Sequence, residues 1–285
     1  MNLKQFQAII LSSCLVFVAL PNYQTSFSIP SSFRLERQGN GVQLYKRIDK
    51  NGYPELLQVV DLQAGARVVF WVENTINAQQ QLPDPTFQRN LLTVIWRRFR
   101  QQYSNAFSLC SGAFFGWYTP TTARLPFPLK INNQIKSYGY GEDKYDQWLL
   151  ALYRNNAVLK PYKRPSNVPA SLAQAANIIV GLAPQCNKDG LGHKSVGRTY
   201  IAVKDTPAKG ANSGDGIYET ILIYQGNCTE KQAYNALKSC GAAQIMMLCG
   251  GPVAQLVCQN KFYKLTEEKL PQTIGVIEAT SYAVH

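Results

Sequence analysis

An apolar run ends at Cys249-Gly250-Gly251, and a second cysteine, Cys258, follows nine residues on. A cysteine at such a hinge can be a nucleophile, half of a disulfide, or an inert thiol that fills space. A nucleophile needs a base and positive surroundings to lower its pKa. The chain has two histidines, His193 within GLGHKSVGR and the terminal His285, and no spacing joins His193 to Cys249. GLGHKSVGR also fails as a phosphate-binding loop, because His193 sits where Gly-Lys should run on and the first glycine is misplaced. With no Cys-x-x-Cys pair and so few histidines, neither a metal nor a cofactor is expected.

Carboxylates are the other candidates for proton transfer. Glu142 and Asp143 sit in YGYGEDKYD, and Asp205 and Asp215 flank a polar loop. Asp beside Gly is the composition of turns, so each reads as a turn residue. No two are spaced as a dyad, and the catalytic set stays unknown.

Among the elements that must hold these residues, Gly39-Asn40-Gly41 punctuates RLERQGNGVQLYKR as a hairpin. Two short apolar strands flank Ala64-Gly65. A helix is expected over 85 to 103, with Asp84 as N-cap, Pro85 at the first position and Leu91, Val94, Ile95 and Phe99 on its core stripe. DQWLLALYRNNAVLK suggests a hairpin around Asn155-Asn156, and SLAQAANIIVGL a short helix or helix-strand passage. VGRTYIAVKD and YETILIYQG look like paired strands. Thr229 and Gln232 form a capping box for a further helix, which Gly241 ends. No linker divides the chain, so the expectation is one α+β domain over 29 to 285, with central strands and flanking helices.

Residues 1 to 28 read as a signal peptide: Lys4, then AIILSSCLVFVAL, which is shorter than the roughly 20 apolar residues of a membrane span. Two rivals are a lipoprotein box at 11 to 14 that would acylate Cys14, and an uncleaved anchor; only these would tie the chain to a membrane. The destination is therefore secreted, periplasmic or in the cell envelope. Export leaves six cysteines (110, 186, 228, 240, 249 and 258), an even count that suggests disulfides. The net charge of +12 favours an anionic partner, and export turns that away from nucleic acid towards phosphate-bearing polymers, acidic glycans or lipid headgroups; on charge alone a solvated basic face without a specific partner is the better reading.

Five segments in order carry a family likeness: SGAFF (111 to 115), FPLK (127 to 130), VGRTYIAV (196 to 203), GIYETILIY (216 to 224) and MMLCGGPVAQLVC (246 to 258). From about residue 55 onward the chain resembles the phosphodiester glycosidases, the family of N-acetylglucosamine-1-phosphodiester α-N-acetylglucosaminidase. The resemblance implies a mixed α/β fold whose glycine-bearing strand ends meet in one cleft, where a sugar joined through phosphate is hydrolysed. It assigns Arg198 as a ligand contact, with Lys130 as a second cation and Gly112, Gly250 and Gly251 as close-approach glycines. Glycoside hydrolysis needs carboxyl groups, and a phosphodiester needs a fixed cation.

Three positions depart from the family pattern. Ser111 replaces the asparagine of its Asn-Gly motif, and Cys249 and Val253 replace the aspartate and serine of Asp-Gly-Gly-x-Ser. A neutral thiol cannot stand in for a carboxylate in acid/base work. Family geometry would bring Cys110 to Cys249 as a disulfide, Cys249–Cys258 being the local rival and an inert thiol the alternative. Two functions stay open: a divergent phosphodiester glycosidase acting on or recognising a sugar-phosphate diester or envelope glycopolymer, and a non-catalytic binder of phosphate-bearing or acidic envelope glycans. A structural envelope protein without a ligand is the third.

Overall fold

The structure, a computed structural model, describes residues 28–73, 75–76, 85–141, 144–163, 174–206 and 214–280. The leader with Lys4 and Cys14, Asp84, Glu142, Asp143, the first three residues of the SLAQAA segment and His285 lie outside the described residues.

The turn at Gly39-Asn40-Gly41 pairs Arg34–Gly39 with Val42–Ile48, and the Asn155-Asn156 turn pairs Gln147–Leu152 with Ala157–Tyr162. Val196–Lys204 lies antiparallel to Thr220–Cys228 along its whole length. These ladders belong to an eleven-stranded sheet, and a five-stranded sheet contains Arg67–Val72, Ala106–Ser111, Leu256–Cys258, Lys261–Lys264 and Gln272–Ile277. A small third sheet holds Gly116–Thr119 against Thr122–Arg124. All the strand pairings are antiparallel among the described residues.

Apolar residues alternating along the strands send one face of each large sheet inward. Val60, Ile201, Ile223 and Met246 of the larger sheet meet Phe70, Phe107, Leu256 and Ile274 of the smaller in one buried cluster. The outer face of the larger sheet packs on the helix Glu230–Ser239 through Ala233, Ala236 and Leu237. The outer face of the smaller sheet packs on the helix Leu92–Gln102 through Leu92, Ile95, Trp96 and Phe99.

This corrects the α+β expectation. Among the described residues strands make up 49% and helices 12%, so they form an antiparallel β structure with two α-helices rather than a mixed domain. The segment expected as helix from residue 85 shows why. Phe87 is fully buried and pairs with Ala123 in the third sheet, so Thr86–Gln88 is strand and the helix starts only at Leu92. A non-local strand partner outweighs the Asp-Pro start signal, which is a local preference. The second helix matches its signals: Thr229 accepts from the Gln232 backbone N–H at 3.2 Å, the Gln232 side chain accepts from Thr229 N–H at 2.8 Å, and Gly241 follows at φ 83°.

Candidate functional site

A hollow of about 460 Å³ opens where Val196–Lys204 and Gln244–Gly250 run side by side, with Arg198 opposite Gly250 in register. The backbones interlock at its floor. A Cβ on Gly250 would stand 2.6 Å from the Gly197 carbonyl oxygen, and one on Gly197 would collide with the Gly251 carbonyl, so only glycine fits at either position. The lining includes Phe114, Phe115 and Trp117, Lys188 and Asp189, and Pro252, Val253 and Glu268, with the Lys188 ammonium 5.4 Å from the Phe114 ring centroid.

Of the residues singled out by the family pattern, Arg198, Gly250, Gly251 and Val253 line this hollow, whereas Gly112 lies beneath it. The Gly112 carbonyl accepts the Cys249 N–H at 3.1 Å, and its missing side chain leaves room for Gln272. Lys130 sits on Leu129–Ile131, off the lining of the hollow.

Arg198 is 5% exposed, and its donors turn into the protein. Nε–H donates to the Cys228 carbonyl at 2.9 Å; one terminal nitrogen meets Glu230 at 3.4 Å and the Met247 sulfur at 3.7 Å; the other donates to the carbonyls of Leu191 and, at 3.3 Å, Lys194. A guanidinium has five N–H donors, and these contacts match them one for one. Glu230 in turn accepts the Asn187 N–H at 2.9 Å. The pair thus fastens both ends of the loop 187–194, and through it positions Lys188 and Asp189.

Behind the hollow, Cys249, the position that the family pattern gives to a carboxylate, is sealed. Cys249 is 2% exposed, and burial pushes its thiol up to about 11 although the hydroxyls of Ser111 and Thr199 bond to it. Those hydroxyls lie 3.1 Å apart, and the Gln225 amide donates to both, at 3.2 and 3.0 Å, and to the Gln255 carbonyl at 3.0 Å. The cluster is neutral and closed. His193 is exposed on the loop, so among the described residues no imidazole stands beside the buried Cys249 thiol to take its proton.

Two carboxylates missed by sequence reasoning reach the hollow. Asp189 is held below the usual carboxylate range, first by the Tyr145 phenol 2.9 Å away and then by Lys188 and Lys144. Glu268 pairs with Arg89 at 3.4 Å and is carried on a segment tied down by Gln255, whose amide donates to the Glu268 carbonyl at 2.8 Å. Neither lies near the other in sequence, and a polar loop with an aspartate in KDG was their only local signal. Asp215 does what its turn context suggests, accepting the Ile217 N–H at 2.8 Å.

All six cysteines of the described residues are free, which overturns the expected disulfides. Register sets two of them apart. Cys110 stands opposite Leu256 and Ile274, while Cys258 stands opposite Ser108, so each occupies its own place in the ladder. Cys249 lies near enough to Cys110 to raise its pKa further, yet the two remain unbonded. Burial also raises Cys228 to about 11 and Cys258 to about 12. Burial raises Cys186 to about 11 as well, so access rather than acidity sets the order: a thiol-reactive disulfide reagent at pH 8 should label the half-buried Cys186 first, leaving the five buried thiols silent until guanidinium unfolds the chain. All six should then react, with Cys14 adding one where it is retained; a count lower by two would mark a disulfide.

No family model matches the sequence, and no curated protein does. Solved structures do match. The catalytic domain of zebrafish N-acetylglucosamine-1-phosphodiester α-N-acetylglucosaminidase, auto-inhibited by its pro-peptide, superposes with a TM-score of 0.55 at 11% identity, over 90% of this chain and 87% of that one. A hypothetical protein from Synechocystis gives 0.52 at 10% identity over 86% of this chain, which spans 64% of that protein. A Burkholderia pseudomallei protein described as exported gives 0.51 at 11% identity, over 79% and 74%. The fold is thus distantly related to that of the phosphodiester glycosidases.

Proposed function

We propose that this chain is an exported, non-hydrolysing relative of the phosphodiester glycosidases that recognises a sugar-phosphate diester or acidic glycan of the cell envelope in the hollow beside Gly250. The observation that carries the reading is Cys249. A thiol pushed up to about 11 and shut behind the floor can neither donate a proton to a leaving oxygen nor hold a charge beside an oxocarbenium centre. Binding needs none of that. Aromatic rings together with the Lys188 ammonium, which sits 5.4 Å from the Phe114 ring centroid, suit a sugar bearing an anionic group.

Asp189 and Glu268 favour a second reading, in which hydrolysis persists with a new carboxylate pair. It is the weaker one. Hydrolysis needs one carboxyl to stay protonated, whereas Asp189 is held low and Glu268 is ion-paired.

Calorimetry with the methyl diester of N-acetylglucosamine-1-phosphate, alongside an assay for released sugar, tests both. Saturable binding that weakens with salt, without release, is expected, and Lys188→Ala should lower the affinity about tenfold. Steady release abolished by Asp189→Asn or Glu268→Gln would establish the second reading instead. Failure to bind would remove both.

A further inference from the structure

We infer that the ligand is a chain of sugars, and that Trp117 is the stacking platform for the unit lying beyond the hollow. The inference rests on the binding function proposed above and extends it to the length of the ligand. A second groove, of about 840 Å³, adjoins the hollow, and Trp117, Pro252 and Glu268 line both. Each volume falls within the ~300–1,000 Å³ of a small-ligand site, so the two in line accept more than a single sugar.

Trp117 is 68% exposed and its neighbour Tyr118 55%, large apolar areas left in water on adjacent residues. Each ring is backed by an arginine. The Arg89 guanidinium lies 4.7 Å from the Trp117 centroid, and that of Arg124 lies 3.9 Å from the Tyr118 centroid. Arg89 is itself buried and pinned, donating to the Lys269 carbonyl at 3.2 Å and to Glu268 at 3.4 Å. The indole is therefore held by a fixed cation while most of its surface stays exposed. A rotamer locked in that way binds a flat partner with little further ordering.

The chemistry of the groove selects the partner. An exposed apolar patch rimmed by polar groups is the mark of a binding surface. A pyranose offers a face of C–H groups to an aromatic ring and a rim of hydroxyls to side chains around it. Here the charged lining consists of Glu267, Glu268, Lys269 and Arg89, two acidic and two basic groups, so no single sign prevails. That suits a neutral sugar. Lys188 stands in the adjoining hollow, where the anionic link would lie. A sugar–phosphate–sugar repeat fits this alternation, and a lone sugar phosphate leaves the groove unused.

The test compares the affinity of the intact protein for the methyl diester of N-acetylglucosamine-1-phosphate with that for a six-repeat oligomer of the same unit. The oligomer should bind about tenfold more tightly. Trp117→Ala should bring that ratio close to one, Tyr118→Ala should reduce it, and Trp117→Phe, which keeps a ring, should preserve most of it. Both rings are exposed, so these variants should fold. A ratio near one in the parent overturns the chain-length inference while the single-unit site stands. A tenfold ratio unmoved by Trp117→Ala overturns the platform. Failure of both ligands to bind overturns this inference together with the function on which it rests.

Discussion

Replacing Arg198 with alanine should lower the stability of the ligand-free protein by about 3–5 kcal/mol, the usual loss when one member of a buried ion pair is removed. Arg198 and Glu230 are 5% and 3% exposed, and the substitution would strand the Glu230 carboxylate together with the carbonyls of Cys228, Leu191 and Lys194. A domain of this size loses about 2–4 °C of melting temperature per kcal/mol, so a drop on the order of 10 °C is expected. The double replacement Arg198→Met with Glu230→Gln should recover part of it, because no uncompensated charge then remains. Thermal unfolding without ligand decides the matter. A variant melting within about 2 °C of the parent would mean that the guanidinium is not the clamp of loop 187–194 and is free to meet a ligand. The family pattern assigns Arg198 to the ligand; the geometry gives it a positioning duty, holding the loop that carries Lys188 and Asp189.

That difference marks how far residue type alone reaches. A strand arginine beside glycines is the same string of letters whether its five donors point to a phosphate or to carbonyls, and here the acceptors come from a loop and a helix start. Elements set by neighbouring residues were legible: the hairpins at Gly39-Asn40-Gly41 and Asn155-Asn156, and the helix between Thr229 and Gly241. The start of the first helix was not, because the fate of Phe87 depends on Ala123. Nor was the fold class, since flanking sheets and flanking helices both read as amphipathic runs until their partners are known. Cysteine parity misled for a related reason. An even count says nothing about register, and register keeps Cys110 and Cys258 at separate rungs. The glycine floor of the hollow could be marked from its motif, whereas Asp189, Glu268 and the groove beside Trp117 exist only through contacts between distant segments.

Placing the aspartate of the family pattern at this position, Cys249→Asp, is expected to destabilise the protein without creating a hydrolase. The position is 2% exposed and faces hydroxyls and a second buried thiol, with Lys264 nearby but itself bonded to Asn227 at 2.8 Å. Burial already favours the neutral thiol there, and the same desolvation would favour a neutral carboxyl, lifting its folded-state pKa above the unfolded value of about 3.9. The sign follows from proton linkage. Between about 3.9 and the raised value the folded state holds a proton that the unfolded state has released, so stability falls as pH rises, by up to about 1.4 kcal/mol per unit. Below about 3.9 both states are protonated and this loss vanishes. Urea unfolding at pH 4 and pH 7 should thus show the variant close to its parent at the lower pH and weaker by about 3 kcal/mol at the higher. Hydrogen bonds from Ser111 and Thr199 to the carboxylate would shrink that gap but not reverse it, since neutral donors offset only part of a buried charge. A Cys249→Asp variant that was fully stable at pH 7 and released sugar from the diester would show that the pocket lacked nothing but its acid. The inactivity proposed for the parent would then lie in one residue rather than in the closed, neutral floor built around it.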